Sequence, residues 1–240
     1  MHGTSPQNPA TPETASVAPA GEIGAATMAR RTALILFAFV IVFTGLLAGA
    51  YQLTRPAIEA SAREEKMRLI NEVLPAGSYD NDLLGDALKL PPTPELGLAD
   101  GGEALRARRG GEPAALVLEA IAPDGYAGAI RLILAVSADG RLLGVRVTQH
   151  KETPGLGDYI EPKKDKNKER PWIRQFDGLS LATAAAAEWR VKKDGGRFDS
   201  MAGATVTPRA VVKAVKKALD YAAANRDALF DSPSVGKEQP

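Results

Sequence analysis

The chain has 240 residues, a formal net charge of +1 and no cysteine, and His2 and His150 are its two histidines. The near-balance of charge argues against a nucleic-acid-binding face. The missing cysteines exclude thiolate-held iron–sulfur clusters, c-type haem attachment, Cys-ligated zinc and disulfides, and two histidines exclude a histidine-rich metal site, so redox chemistry here would need an organic cofactor.

Residues 1–29 are rich in Pro, Ala, Thr, Ser and Gly and read as a disordered tail. The run Ala33–Tyr51 carries no charge. At helical rise it reaches about 28 Å, close to the hydrocarbon thickness of a bilayer. Ala48-Gly49-Ala50 resembles a small-residue cleavage site, but the apolar run is longer than a signal core, so a retained span over 30–53 is expected. Charge leaves the orientation open. Arg30 and Arg31 stand on one side against Arg55 on the other, and widening the window to Arg63, Lys66 and Arg68 reverses the count.

Arg55–Leu74 reads as a helix leaving the membrane, with Pro56 near its start and an incomplete apolar face at Ile58, Met67, Leu69, Ile70, Val73 and Leu74. Between Pro75 and Gly111 no element can be assigned, and Arg106, Arg108 and Arg109 read as a solvated basic loop. Residues 54–110 are therefore taken as juxtamembrane helix and linker, ahead of a domain at 111–230 and a tail at 231–240.

Ala114–Ala122 fits a mostly buried strand that ends at the turn Pro123-Asp124-Gly125. Ile130–Ser137 is a second strand, and Asp139-Gly140 is a hairpin signal leading into a third, Arg141–Gln149. An antiparallel meander with helices before and after it is an α+β arrangement.

The third strand runs into His150-Lys151-Glu152-Thr153-Pro154-Gly155-Leu156-Gly157. Pro154-Gly155 forces a turn, and Gly157 lets the backbone approach a flat ligand. Glu152 and Thr153 offer hydrogen bonds to a heterocycle's polar edge. Taken alone this is an ordinary loop, and His150 reads as a structural hydrogen-bonding residue. Lys163–Arg170 reads as a charged surface loop. Trp172, Ile173 and Phe176 supply core bulk, Leu181–Glu188 reads as a short helix, and Trp189-Arg190-Val191 is strand-like.

Asp199–Thr205, D-S-M-A-G-A-T, feeds a helical pattern from Arg209 to about Phe230, with Val211, Val215, Ala218, Leu219, Ala222 and Leu229 at helical spacing. Thr207 suits the N-cap and Pro208 the first helical position. The unpaired N–H groups and positive dipole end of such a helix favour an anion, so the Thr205 hydroxyl is placed to carry a phosphate. Gly203 and Ala204 leave room for a bulky group. Gly-Ala-Thr alone does not separate this from a plain loop entering a helix.

In order, the chain presents one span, G-Y-A-G-A-I at Gly125–Ile130, H-K-E-T-P-G-L-G at His150–Gly157, V-K-K-D-G-G-x-F-D at Val191–Asp199 and A-G-A-T-V-T-P-R-A-V-V-K-A-V at Ala202–Val215. From the span to about residue 230 this series resembles the RnfG family, the G subunits of Rnf electron-transport complexes. More broadly it resembles the FMN-binding domain shared with the C subunit of the sodium-pumping NADH:quinone reductase.

The resemblance implies FMN joined through its phosphate to Thr205 by a separate flavin transferase. It places Gly203, Ala204, Val206 and Thr207 around that bond, and Glu152, Thr153, Gly155, Leu156 and Gly157 beside the isoalloxazine. Asp199, Gly203, Ala204 and Thr205 match the attachment pattern, with Asp199 as a transferase-recognition residue. Ala202 stands where the family usually has a hydroxyl residue.

It further implies a single-pass inner-membrane protein with a cytoplasmic N-terminus and a periplasmic domain. Such a protein relays electrons among the other membrane subunits, with no metal, no nucleic acid and no catalytic acid or base of its own. A membrane-anchored flavin sensor and a purely structural subunit are the competing readings. The sodium-pump assignment is separated from the Rnf one by family likeness alone.

Overall fold

The computed structural model describes residues 24–75 and 77–232. Most of the proposed N-terminal tail, and the C-terminal tail beyond Ser232, lie outside the described residues. The chain divides into two units, Met1–Ala60 and Ser61–Pro240.

Helix α1, Ala25–Val73, is a single helix that passes through Pro56 instead of restarting there. Its apolar stretch has a mean hydropathy of 2.6 over its best window, and none of that window is covered by protein. Leu34, Phe37, Phe39, Val42 and Leu46 are all more than half exposed. A continuous apolar surface of this length is stable against lipid chains and costly against water, which makes it a candidate membrane span.

In the second unit five strands form one antiparallel meander in sequence order: β1 (Ala87–Leu90), β2 (Gly102–Arg109), β3 (Glu112–Ala122), β4 (Ile130–Ser137) and β5 (Leu142–Gln149). The α+β architecture read from the sequence is the observed one. Strands β3 to β5 arise where the apolar runs indicated. Strands β1 and β2 lie in the stretch from Pro75 to Gly111 that carried no readable element.

Register pairs Ala104 with Leu118, Leu118 with Leu134 and Leu134 with Val145, which aligns one apolar face. That face is covered by α2, Val206–Asp231, through Val211, Val215, Ala218, Leu219 and Ala222. The opposite face, with Leu105, Ala107, Val117, Ile133 and Ala135, is covered by Ile70, Val73 and Leu74 at the end of α1. Gly144 permits that approach: a Cβ there would lie 2.9 Å from the Val73 backbone.

Arg106 corrects the reading of a solvated basic run. It lies on β2 on the α2 side of the sheet and is only 2% exposed. Its guanidinium meets Asp86 Oδ1 at 2.5 Å and donates to the carbonyls of Leu229, Phe230 and Ser232. Arg108 adds bonds to Asp86 Oδ2 at 2.9 Å and to the Phe230 carbonyl at 2.7 Å. The orphan carbonyls at the end of α2 thus meet fixed cations, which also oppose the helix dipole.

From residue 150 to 205 the chain is irregular, with short 3₁₀ turns such as Trp172–Phe176. An aromatic row fills it: Tyr159–Trp172, Trp172–Phe176, Phe176–Phe198 and Phe198–Trp189, with centroids 4.6–5.7 Å apart. The alanine-rich stretch before Trp189 forms only the 3₁₀ turn Ala186–Glu188, and Val191 makes one parallel bridge to Phe198.

Candidate cofactor site

The site is built where three loops meet the start of α2. The helix begins at Val206, with Thr205 at the N-cap position, two residues earlier than the sequence indicated. Thr207 does not cap because its hydroxyl is used elsewhere: it donates to Glu152 Oε2 at 2.5 Å. Pro208, now third in the helix, costs nothing there, since first-turn N–H groups have no partner within the helix. Thr205 sits at φ −86°, ψ −22°, and its hydroxyl makes no capping bond.

Glu152 joins the loops. Its carboxylate is 4% exposed and accepts the Thr207 hydroxyl on one oxygen and the Ala127 N–H, at 3.2 Å, on the other. Its own N–H donates to His150 Nδ1 at 2.9 Å, and His150 Nε2 lies 2.6 Å from Glu161 Oε1. With Nδ1 accepting, Nε2 carries the proton and donates it to Glu161, so a neutral imidazole satisfies both contacts. Two glycines make room for the carboxylate. A Cβ at Gly157 would lie 2.7 Å from Glu152 Oε2 and 2.8 Å from Thr207 Oγ1, and one at Gly125 would lie 2.8 Å from Glu152 Oε1.

Around this junction lies a cavity of about 230 Å³ lined by Tyr126, Glu152, Thr153, Leu156, Gly157, Gly203, Ala204, Val206 and Thr207. Eight of these nine were singled out from sequence. The structure therefore brings the Pro-Gly loop and the Gly-Ala-Thr stretch to one place, although Gly157 and Gly203 are 46 positions apart in the chain. Gly155 stands back from the cavity at φ +75°, where its N–H donates to Asp158 Oδ1 at 2.8 Å. Thr205 is not itself a lining residue; it lies between Ala204 and Val206, which are.

Tyr126, 71% exposed, is the lining residue that sequence reasoning missed. Its signal was the G-Y-A-G-A-I motif, which carried weight only as part of the ordered series. Leu156 and Val206 are also exposed, at 46% and 43%, so the cavity mouth has an apolar rim.

The stretch leading to Thr205 is held from below. Trp172 Nε1 donates to the Asp199 carbonyl at 2.7 Å, the Asp199 N–H to Gln175 Oε1 at 2.9 Å, and the Met201 N–H to the Tyr159 hydroxyl at 3.3 Å. Burial pushes the Tyr159 phenol up to about 12. The Asp199 carboxylate faces outward and pairs with Lys192 at 2.5 Å, away from the cavity lining.

The cations on the first two turns of α2 are already committed. Arg209 binds Asp194 through two 2.6 Å contacts and holds that carboxyl below the usual range; Lys213 does the same for Asp124. The anion-attracting groups left at Thr205 are the backbone N–H groups of the first turn and the helix dipole.

Comparison with known families fits this geometry. Residues 125–220 match the FMN-binding domain family, and residues 25–73 match the RnfG N-terminal region. A Pseudomonas aeruginosa protein, named as the G subunit of an ion-translocating oxidoreductase complex, is 52% identical over 200 residues, which is 83% of this chain and 91% of that protein. Proteins named in the same way from Vibrio cholerae and Shewanella baltica are each 41% identical. They cover 87% and 85% of this chain and 97% and 93% of their own lengths.

Proposed function

Since the chain belongs to the family of ion-translocating oxidoreductase complex G subunits, we propose that its domain carries FMN esterified through phosphate to Thr205 and relays electrons among neighbouring membrane subunits. The observation that carries this reading is the Thr205 hydroxyl. It heads α2 without capping it, beside the first-turn N–H groups, and lies in the chain between Ala204 and Val206, which both line the cavity shared with the 152–157 loop.

These residues fit the group. The first-turn amides suit its phosphate. Gly203, at φ +84° with open space where a Cβ would stand, keeps the approach to Thr205 clear. Leu156, Val206 and Tyr126 offer apolar contact to a flat ring system, and Thr153 and Glu152 offer hydrogen bonds. Sites that enclose drug-sized ligands hold roughly 300–1,000 Å³. A cavity of about 230 Å³ is smaller, so these residues would hold only part of the ring system.

The flavin supplies the electron chemistry, and the protein supplies tethering, position and electrostatics. The ester forms between phosphorus and Thr205 Oγ1, with loss of the hydroxyl proton and of the donor's leaving group, on a separate flavin transferase that reads Asp199. A covalent tether retains the cofactor in an open compartment and keeps its local concentration high at its partners. No side chain in the site is placed as a substrate-transforming acid or base, so the domain acts as a carrier within a larger oxidoreductase. The same family reading puts the N-terminus in the cytoplasm and the domain in the periplasm.

The test is denaturing electrophoresis viewed under ultraviolet light after coexpression with a flavin transferase, with mass spectrometry of the peptide that contains Thr205. A fluorescent band that vanishes in Thr205→Ala, with the FMN mass on the wild-type peptide, supports the assignment. A band that persists in Thr205→Ala refutes it. Cysteine-labelling of single-cysteine variants in intact cells tests the orientation: a domain label accessible only after inner-membrane lysis overturns the periplasmic placement.

A further inference from the structure

A dense run of charge on the domain lies in the stretch from Lys163 to Arg174. It holds Lys163, Lys164, Lys166, Lys168, Arg170 and Arg174 against Asp165 and Glu169, in a chain whose total is only +1. Among the described residues, Lys163, Lys166, Lys168, Arg170 and Arg174 enter no ion pair. Lys151, Arg190, Lys193 and Lys217 are also exposed and outside any ion pair among the described residues, but they are spread along the domain, whereas five such cations fall within this one stretch. The five unpaired cations are exposed, whereas Asp165 is 8% exposed and turned inward.

Asp165 gives this loop a fixed shape. Its Oδ1 accepts the Asn167 N–H at 2.9 Å and its Oδ2 the Trp172 N–H at 2.5 Å, while Asn167 Oδ1 accepts the Arg170 N–H at 3.0 Å. Lys168 Nζ donates to the Lys163 carbonyl at 2.5 Å. Like charges crowded on one loop repel, so a solvated loop with no task would spread. Here a buried carboxylate holds the cations in a set array.

The array is joined to the candidate cofactor site at both ends. At one end Glu161 holds His150, which holds the Glu152 N–H; at the other, Trp172 holds the Asp199 carbonyl.

We propose that this basic loop is a docking face for an acidic protein surface, belonging to a partner that exchanges electrons with the flavin. The electron exchange rests on the carrier reading; the docking face itself does not. The shape of the patch favours a protein over a lipid surface. Lys163, Lys168 and Arg174 border an open groove of about 790 Å³ beside Arg68 and Arg146. Its acidic members already have cationic partners: Glu65 and Glu72 pair with Arg68, at 2.6 and 3.0 Å, Glu72 also lies 3.7 Å from Arg146, and Glu161 pairs with Lys164 at 3.3 Å. A groove with free cations on its rim fits a projecting acidic segment, and the hydrogen-bonded link from this loop to the cofactor site suits a partner that exchanges electrons there. Redox encounters are brief and small in area, and complementary charge near the cofactor raises their association rate.

The test is zero-length carbodiimide cross-linking of the native membrane complex, read by mass spectrometry. The expected result is peptides joining Lys163, Lys166 or Lys168 to Asp or Glu of another protein. Their yield falls severalfold at about 1 M salt, where the screening length is ~3 Å. The triple variant Lys163→Gln/Lys166→Gln/Lys168→Gln should keep its thermal midpoint and slow electron delivery to the flavin severalfold.

Full solvent reactivity of these lysines in the native complex, without interprotein cross-links, overturns the proposal. So does lysine protection in the isolated full chain that appears in phosphatidylglycerol vesicles and not in phosphatidylcholine vesicles, which assigns the patch to lipid. Flavin content at position 205 is measured on the same samples. Cross-links without flavin sink the carrier reading and leave the docking face standing; flavin without cross-links does the reverse.

Discussion

Thr207 and Glu152, 55 residues apart in sequence, share a 2.5 Å hydrogen bond in a buried setting. This bond ties the start of α2 to the loop after β5, and the second oxygen of Glu152 ties in the loop between β3 and β4 through Ala127. Hydrogen bonds to a charged group are each worth about 1.5–3 kcal/mol. Thr207→Val keeps the shape and removes the donor, so it should destabilise the domain by about that amount. Trp172 and Trp189 are both buried and report the transition by fluorescence during urea unfolding in detergent. A midpoint equal to wild type would show that the bond contributes nothing.

Gly157 provides a second measure of the same junction. An alanine methyl there would meet Glu152 Oε2 and Thr207 Oγ1 below 3 Å, so either the carboxylate or the helix start must move. The expected cost is about 1–3 kcal/mol, typical of overpacking. Because both changes act on one carboxylate, Gly157→Ala combined with Thr207→Val should cost less than the two single losses together. Strict additivity in a double-mutant cycle would contradict the geometry.

Thr205 should behave in the opposite way. A threonine that caps a helix loses about 1 kcal/mol on truncation to alanine. Thr205 occupies the cap position without a capping bond. Thr205→Ala, measured without flavin, should therefore change stability by less than about 0.5 kcal/mol. A full cap-sized loss would mean that the hydroxyl is already engaged, which also bears against its being held for a ligand.

Much of this site was legible as words in order, and much of its physics was not. The Pro-Gly loop, the Gly-Ala-Thr stretch and the long helix after it can each be read from turn chemistry and periodicity. That Thr207 faces Glu152 instead of capping α2 depends on a contact across 55 residues, and local propensity carries no information about it. Strands β1 and β2 were hidden for a similar reason. β1 is only four residues long, and β2 carries arginines at alternate positions, which reads as a solvated run until Asp86 and the end of α2 are seen beside them.

Arg106 makes that last point measurable. Arg106→Leu would leave the Leu229 and Ser232 carbonyls without their side-chain donor, the Phe230 carbonyl with Arg108 alone, and Asp86 with Arg108 and a 3.4 Å contact from Asn81. Breaking a buried pair by removing one partner costs about 3–5 kcal/mol. Arg106→Lys should recover little of this, because one ammonium cannot meet Asp86 and the helix carbonyls together as the planar guanidinium does. Equal melting midpoints for Arg106→Lys and wild type would show that charge alone suffices.

Tyr159 predicts a pH dependence whose sign follows from burial. Its phenol is moved from the usual 10 up to about 12, with desolvation as the leading cause and the Met201 N–H opposing it. The folded state therefore holds this proton more tightly than the unfolded chain. The associated stability is fully present below pH 10, declines as pH rises above that value, and is lost by the time pH passes about 12. Two units at 1.36 kcal/mol each make the loss about 2–3 kcal/mol at most. Tyr159→Phe cannot ionise, so its unfolding free energy should fall less steeply between pH 9 and pH 12 than that of the wild type. At neutral pH it should lose only the 3.3 Å contact to the Met201 N–H, a weak bond by its length. Parallel curves for the two proteins across that alkaline range would mean that the phenol is solvated, and that the support beneath the 199–205 stretch is looser than its packing against Trp172 implies.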